Sequence, residues 1–230
     1  MSKLYLVATP IGNLEDITYR AVRILQEADL ILSEDTRKTS ILLNKYSIRQ
    51  RLSSFHKFNE HQAIQKIILT LKEGRSVALV SDAGTPGISD PGFILVRECI
   101  RENIDVECLP GPTALIPALV LSGIPCDRFI FEGFLPVKKG RNKRLQELIN
   151  EFRTMIFYES PHRLKKTLLD LSSVMGTDRT VVIARELTKI HEEIIRGTLG
   201  SLIEEVDRRL IKGEIVIVIQ GKSEKKSSFR

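Results

Sequence analysis

The sequence predicts an α/β protein with a parallel α/β domain over residues 1–134, a mixed α/β domain over residues 135–221 and a basic tail over residues 222–230. Three observations predict this. Short apolar runs alternate with stretches that keep a 3.6-residue apolar period, the pattern of strands joined by crossover helices. Several of these runs stop abruptly in loops rich in Gly and Pro. Beyond a Gly/Pro-bearing linker, Glu132-Gly-Phe-Leu-Pro136, successive strands are separated by less helix, so strand directions mix.

Leu4-Tyr-Leu-Val7 reads as the first strand and Ala8-Thr-Pro-Ile-Gly-Asn13 as the loop after it. Asn13 or Asp16 is placed to cap a helix whose apolar residues Ile17, Ala21, Ile24, Leu25 and Ala28 share one face. The strand Leu30-Ile-Leu32 runs into Ser33-Glu-Asp-Thr-Arg37, and a less regular stretch follows, with a short helix near Ile41 to Lys45. Asn59 with Gln62 resembles a capping box for a helix that Gly74 closes. Val77-Ala-Leu-Val80 is a short buried strand, Val106-Glu-Cys-Leu109 another, and Arg128-Phe-Ile-Phe131 the last strand of the first domain. In the second domain, Thr154 to Tyr158, Thr180 to Ala184, Glu193 to Thr198 and Glu214 to Ile219 read as strands. The basic run leads into the apolar residues Leu145, Leu148, Ile149 and Phe152, and helices are expected after Glu159-Ser-Pro-His-Arg163 to about Met175 and from about Ser201 to Leu210.

The chain is organised around Ser81-Asp-Ala-Gly-Thr-Pro-Gly-Ile-Ser-Asp-Pro-Gly92, which follows the strand Val77 to Val80. Asp90 before Pro91 has the form of a helix N-cap with proline at the first helical position. Pro110-Gly-Pro-Thr-Ala114 repeats the grammar after the next strand, and the loop after Val7 adds a third member. Each loop alone reads equally well as an ordinary strand-to-helix turn. The twelve residues of the first exceed the roughly 2 to 6 that such a turn needs. Loops at the carboxyl ends of parallel strands are where ligands bind in open α/β sheets, so a small-molecule pocket with mostly backbone walls is expected. No G-x-G-x-x-G follows the first strand and no G-x-x-x-x-G-K-[ST] occurs, which removes the dinucleotide and P-loop readings.

No apolar run approaches the roughly 18 residues that span a bilayer, and the N-terminus lacks a signal-peptide pattern. A cytoplasmic protein with no membrane partner is expected. Cys99, Cys108 and Cys126 fit no metal-ligand spacing and read as small core residues; His56 and His61 lack a third ligand, so no metal is expected. The net charge of +6 is mild evidence for a polyanionic partner. Lys138-Lys-Gly-Arg-Asn-Lys-Arg144 concentrates that charge, five basic residues in seven positions.

The segments VATPIGNLEDIT, SEDTRKTS, SDAGTPGISDPG, LPGPTA, FEGFLP, FYESPHRL and ARELTKIHEE, in this order, closely resemble the ribosomal RNA small subunit methyltransferase I family, from about Tyr5 to about Gly221. The resemblance implies a tetrapyrrole-methylase-like fold, two α/β domains with S-adenosylmethionine in the cleft between them. It implies methylation of the ribose 2′-oxygen of a cytidine in the decoding region of 16S ribosomal RNA, with the 30S subunit as partner and a homodimer as the assembly. It also implies that Pro10, Gly84, Thr85, Pro86, Ile88, Thr113 and Ala114 line the cofactor, with Tyr158 and Leu187 on its other wall. Many family members carry a further C-terminal helical segment that has no counterpart after this chain's last expected strand.

A sulfonium methyl group is already electrophilic, so aligning the acceptor supplies much of the acceleration. A ribose hydroxyl is a poor nucleophile and gains from a base, or from a lysine that steadies the emerging oxyanion. Candidates at strand ends are Asp82, Glu159, Glu186, Lys189 and His191, with Lys189 and Glu186 ranked first. For RNA phosphates, Lys138, Lys139, Arg141, Lys143 and Arg144 form the main patch, and Arg37, Lys38, Arg163, Lys165 and Lys166 a second edge. Two rivals stand beside this reading: a related methyltransferase acting on a small molecule or protein, and a non-catalytic RNA-binding or ribosome-assembly factor.

Overall fold

Parallel strands buried on both faces need continuous apolar runs, and the first half of the chain supplies them. The computed structural model describes residues 3–222. The basic tail expected over residues 222–230 therefore lies, from residue 223 on, outside the described residues. The chain forms two compact units, Met1–Thr113 and Ala114–Arg230.

The first unit runs β1 (Leu4–Val7), α1 (Tyr19–Glu27), β2 (Leu30–Ser33), α2 (Thr36–Lys45), β3 (Leu52–Ser54), α3 (Glu60–Lys72), β4 (Val77–Val80), α4 (Phe93–Arg101) and β5 (Val106–Cys108). Its sheet has the order β3-β2-β4-β1-β5, with every pairing parallel. Side chains alternate across the sheet. Val77 and Leu79 of β4 pack with Ile64, Ile68 and Leu71 of α3 and with Leu95 and Cys99 of α4. Ala78 and Val80 pack on the opposite face with Ala21, Ile24 and Leu25 of α1 and with Leu43 of α2. All five carboxyl ends therefore lie along one edge.

The second unit runs α5 (Leu115–Ser122), β6 (Phe129–Phe134), α6 (Arg141–Leu148), β7 (Thr154–Glu159), α7 (Pro161–Met175), β8 (Thr180–Arg185), β9 (Glu193–Thr198), α8 (Leu199–Arg208) and β10 (Ile215–Ile219). Its sheet order is β6-β7-β10-β8-β9. Only β6 and β7 pair in parallel, so this is a mixed sheet. One face buries Met155, Phe157, Ile183, Ile217 and Ile219 against Leu164, Leu168 and Leu171 of α7 and Leu199 and Leu202 of α8.

Several local expectations are corrected. The domain boundary falls after Thr113 rather than after Phe134, because β6 pairs with β7 and so belongs to the second sheet. The expected linker Glu132 to Pro136 begins inside β6: Gly133 sits at a bulge with φ +61°, which only the lack of a Cβ makes easy. Thr18, not Asn13 or Asp16, caps α1, accepting from the Ala21 N–H at 3.0 Å; Asn13 caps a separate short turn, Leu14–Asp16. Asn59 does not form a capping box, since its Oδ1 accepts from the His56 N–H at 2.8 Å. Gly92, with φ +142°, takes the N-cap of α4 that the sequence assigns to Asp90. Of the three cysteines only Cys99 is a core residue; Cys108 and Cys126 are exposed.

Candidate functional site

In the first unit, the loops after β1, β4 and β5 are sewn together at the carboxyl edge of the sheet. Thr9 and Gly84 exchange a pair of backbone hydrogen bonds, each 2.9 Å. The Thr9 hydroxyl donates to the Ser81 carbonyl at 3.1 Å, and the Ser81 hydroxyl donates to the Gly84 carbonyl at 3.1 Å. Thr85 reaches the third loop, its hydroxyl donating to the Pro112 carbonyl at 3.3 Å. A Cβ placed on Gly111 would stand 2.7 Å from the Ala8 Cβ, so glycine is what lets the first and third loops touch. Gly84 turns the chain with φ +80° against Ile11 and Pro112. Of the residues expected to line a cofactor, Pro10, Gly84 and Pro86 are buried parts of this seam, Thr85 and Thr113 are half-buried, and Ile88 exposes its side chain from the same loop. Ala114 starts the second unit.

Carboxylates gather at the same edge. Asp82 accepts from the Asp35 N–H at 2.9 Å and from the Lys38 Nζ at 2.7 Å. Asp35 grips Arg37 through its Nε at 3.0 Å and Nη2 at 2.8 Å, and that hydrogen bonding pulls its carboxyl down to about 2. Glu34 is shifted the other way, upward, by burial and then by the charge of Asp82. Asp90 is pushed up to about 6 by burial and by the charges of Glu34 and Asp82, while the Ser81 side chain pulls it down. His56 Nδ1 is buried with no hydrogen-bond partner among the described residues. Arg37 and Lys38, expected to meet RNA, each already hold a carboxylate, although both side chains remain exposed.

In the second unit, Tyr158 stands edge-on to Phe131 and Phe134, with ring centroids 4.9 and 5.8 Å away, and Leu187 is buried. Glu186 and Thr188 both adopt left-handed backbone, φ +50° and +64°, a strain that only a well-tied segment retains. The ties are explicit. Glu186 Oε1 accepts from the Glu214 N–H at 2.8 Å and from Lys189 Nζ at 2.9 Å, and Lys189 Nζ also meets Glu214 Oε2 at 3.0 Å. Burial alone would raise the Glu186 carboxyl, but these bonds hold it below its ordinary range. Burial likewise opposes the charge on Lys189, and its two carboxylates outweigh it, so the ammonium is kept. Glu186 is thereby a weakened base whose carboxylate anchors Lys189. Glu159 is buried and accepts from the Thr167 hydroxyl at 2.6 Å and the Ser160 N–H at 2.9 Å.

The basic stretch divides in two. Lys138, Lys139 and Lys143 are exposed. Arg141 is 5% exposed, its guanidinium donating to Asp170 at 2.7 Å, Thr167 at 2.9 Å and the Pro136 carbonyl at 3.1 Å. Arg144 makes two 2.6 Å bonds to Glu132 and one of 2.7 Å to Glu147. Expecting Arg141 to contact RNA is thus corrected, because a buried guanidinium with three partners cannot reach a phosphate, and Arg144 is a structural clamp. Arg163 is also tied inward, to the Leu135 carbonyl at 2.6 Å and Glu159 at 3.4 Å. An open hollow of about 380 Å³ lies between the end of β6 and α6, lined by Phe134, Lys143 and Arg144 among others.

Comparison with known proteins decides the family. Residues 3–203 match the model of the tetrapyrrole (corrin/porphyrin) methylases. A ribosomal RNA small subunit methyltransferase I from Thermotoga maritima is 53% identical over 222 residues, covering 96% of this chain and all of that relative. Relatives of the same name from Synechocystis and Escherichia coli O157:H7 are 52% and 51% identical, covering 96% and 95% of this chain and 80% and 78% of theirs. The chain belongs to the ribosomal RNA small subunit methyltransferase I family. Within the wider tetrapyrrole methylase fold, a cobalt precorrin-4 methyltransferase of cobalamin biosynthesis superposes with a TM-score of 0.73 at 21% identity, covering 95% of each chain. A uroporphyrin-III-C-methyltransferase from Thermus thermophilus superposes with 0.66 at 20% identity, covering 95% of this chain and 94% of that one.

Two carboxylates at this edge with raised proton affinity have no place among the sequence candidates. Glu34 sits in a turn with no motif of its own, and Asp90 reads as a helix cap. The available signal is their position, directly after a parallel strand or within the long loop. Among the described residues, no group of three His, Cys, Asp or Glu side chains is arranged to hold a metal ion, and no helix is long and apolar enough to cross a membrane.

Proposed function

We propose that this protein transfers the methyl group of S-adenosylmethionine to the ribose 2′-oxygen of a cytidine in the 16S RNA of the cytoplasmic small ribosomal subunit, acting as a homodimer. The observation that carries this reading is the sewn loop edge of Thr9, Gly84, Thr85 and Pro112 in a chain half-identical along its length to relatives named for small-subunit ribosomal RNA methylation. The residues fit the cofactor. A backbone-walled corner closed by Gly84 and Gly111, with Pro10 and Pro86 buried in it and the apolar Ile88 exposed beside it, suits a ligand held by shape and main-chain groups.

The cofactor supplies a methyl group already activated by its sulfonium charge. The chain's own contribution is to hold the acceptor oxygen in line and to manage the charge and the proton on it. Pro10, Gly84, Thr85, Pro86, Ile88, Thr113, Ala114, Tyr158 and Leu187 are the cofactor-binding set in this reading. Lys189, held protonated by Glu186 and Glu214, is the cation that steadies the oxygen. Lys138, Lys139 and Lys143 supply sequence-independent phosphate contacts.

The test is methyl transfer from labelled cofactor to small subunits isolated from cells lacking the protein, followed by mapping of the product. One 2′-O-methylcytidine in the decoding region is expected. A label on a base, on another nucleotide or on protein would overturn the reading. A non-catalytic RNA-binding factor would instead give no calorimetric signal with S-adenosylmethionine.

A further inference from the structure

Methylating one nucleotide of a large RNA requires more than phosphate contacts, which fix register and carry no sequence information. The second unit holds a place where a base could be read. Phe134, the last residue of β6, is 51% exposed. Its ring lines the open hollow of about 380 Å³ between β6 and α6, together with Glu132, Gly140, Lys143, Arg144 and Glu147. That volume lies in the range of roughly 300 to 1,000 Å³ usual for small-ligand sites, room for one nucleotide and not for a duplex.

The walls of this hollow are fixed. The Glu132 carboxylate, its side chain 6% exposed, accepts from Nε and Nη2 of Arg144 at 2.6 Å each, and Glu147 Oε2 accepts from Nη1 at 2.7 Å. Arg144 is thereby a set wall, its donors turned to carboxylates. Glu147 uses only Oε2 in this bond, so its Oε1 is an acceptor left for a ligand. Lys143 is exposed and makes no ion pair among the described residues, which leaves its ammonium for a phosphate. Phe134 meets Tyr158 edge-on, ring centroids 5.8 Å apart, so the hollow adjoins a residue of the proposed cofactor wall.

We propose that this hollow seats one unpaired, amine-bearing nucleotide of the substrate RNA; this rests on the RNA substrate proposed above. The base stacks on the Phe134 ring, its exocyclic amine donates to Glu147 Oε1, and its phosphate meets Lys143. Sequence-specific recognition of RNA works mainly on splayed-out bases, which stack on aromatic side chains and hydrogen-bond through their edges. A carboxylate only accepts, so it favours cytosine, adenine or guanine, which carry an amine, over uracil, which carries none. The exposed lysines give affinity, and the hollow adds the base selection that they lack.

The test measures binding to small subunits isolated from cells lacking the protein, for the unaltered protein, Phe134→Ala and Phe134→Tyr, with calorimetry on S-adenosylmethionine alongside. Phe134→Ala is expected to weaken subunit binding roughly tenfold or more while cofactor affinity stays within about twofold. Its slope of log affinity against log salt is expected to be unchanged, because stacking releases no counterions. Phe134→Tyr keeps a ring and is expected to stay within about threefold of the unaltered protein. Ultraviolet cross-linking of the unaltered protein to subunits is expected to join Phe134 to one cytidine, adenosine or guanosine, located by primer extension. Normal binding by Phe134→Ala, a cross-link to uridine, or subunit and cofactor affinity lost in step would overturn the assignment. If the unaltered protein bound no small subunits, the RNA reading would fall and this site with it. Subunit binding that Phe134→Ala matches sinks the hollow alone.

Discussion

Arg141 and Asp170 meet at 2.7 Å, Nε to Oδ2, in the interior of the second unit. The same guanidinium donates to the Thr167 hydroxyl, which in turn donates to the buried Glu159. Removing it leaves Asp170 with only the looser 3.8 Å contact of Lys166, and Thr167 without its donor. Arg141→Ala is expected to cost about 3 kcal/mol of stability, read by denaturant unfolding. Arg141→Lys is expected to recover little of it, since an ammonium cannot serve three partners set around a planar fork. Full stability in Arg141→Ala would show that the network is incidental.

With Arg141 buried and Arg144 holding Glu132 and Glu147, the exposed Lys138, Lys139 and Lys143 are the RNA contacts proposed for this stretch. Reversing Lys138 and Lys143 to Glu is expected to weaken binding to small-subunit RNA. It is also expected to reduce the slope of log affinity against log salt by about 1 to 2, with the melting temperature unchanged. An unaltered slope would mark these lysines as merely solvated.

Gly111 and Ala8 hold the first and third loops in contact. Gly111→Ala is expected to push the loops apart and to lower S-adenosylmethionine affinity at least tenfold, measured by calorimetry. Because the clash is with one methyl group, Ala8→Gly is expected to restore binding in the double variant, a non-additivity characteristic of touching residues. Failure of that rescue would place the effect of Gly111 elsewhere.

Lys189 is held protonated by Glu186 and Glu214. Lys189→Ala is expected to lower turnover far more than it weakens cofactor binding. Equal loss of both in a folded variant would remove Lys189 from the mechanism.

Asp90 also links stability to pH. Its folded-state affinity for a proton, about 6, lies above the ordinary value of 3.8, so the fold favours the protonated form. That contribution is full at low pH and is lost as pH rises through about 6. A shift of about two units corresponds to about 3 kcal/mol, and partial solvent exposure reduces this to about 1–2 kcal/mol. Asp90→Asn, neutral throughout, is therefore expected to gain about that much stability at pH 8 relative to its difference from the unaltered protein at pH 3. Thermal melts at the two pH values give the comparison; parallel melts would mean that the carboxyl is not perturbed.

Features that are local, or repeated along the chain, were legible in the residues alone. Val77 to Val80 is apolar on both faces and so had to be an interior parallel strand. The Gly and Pro of Ser81 to Gly92 had to make a loop, and seven ordered segments were enough to name a family. Long-range packing alone settled which sheet received Arg128 to Phe134, since pairing with Thr154 to Tyr158 joins residues that no local pattern connects. It likewise made Arg141 interior and left Lys138 outside, although both lie in one basic run: the difference is Asp170 and Thr167, contributed by α7. Asp90 is the sharpest case. Asp-Pro reads as a helix start from sequence, and only the positions of Gly92, Glu34 and Asp82 show a carboxylate without a cap to make. Propensity and period act over a few residues, whereas burial, charge pairing and proton affinity depend on groups brought together from distant parts of the chain.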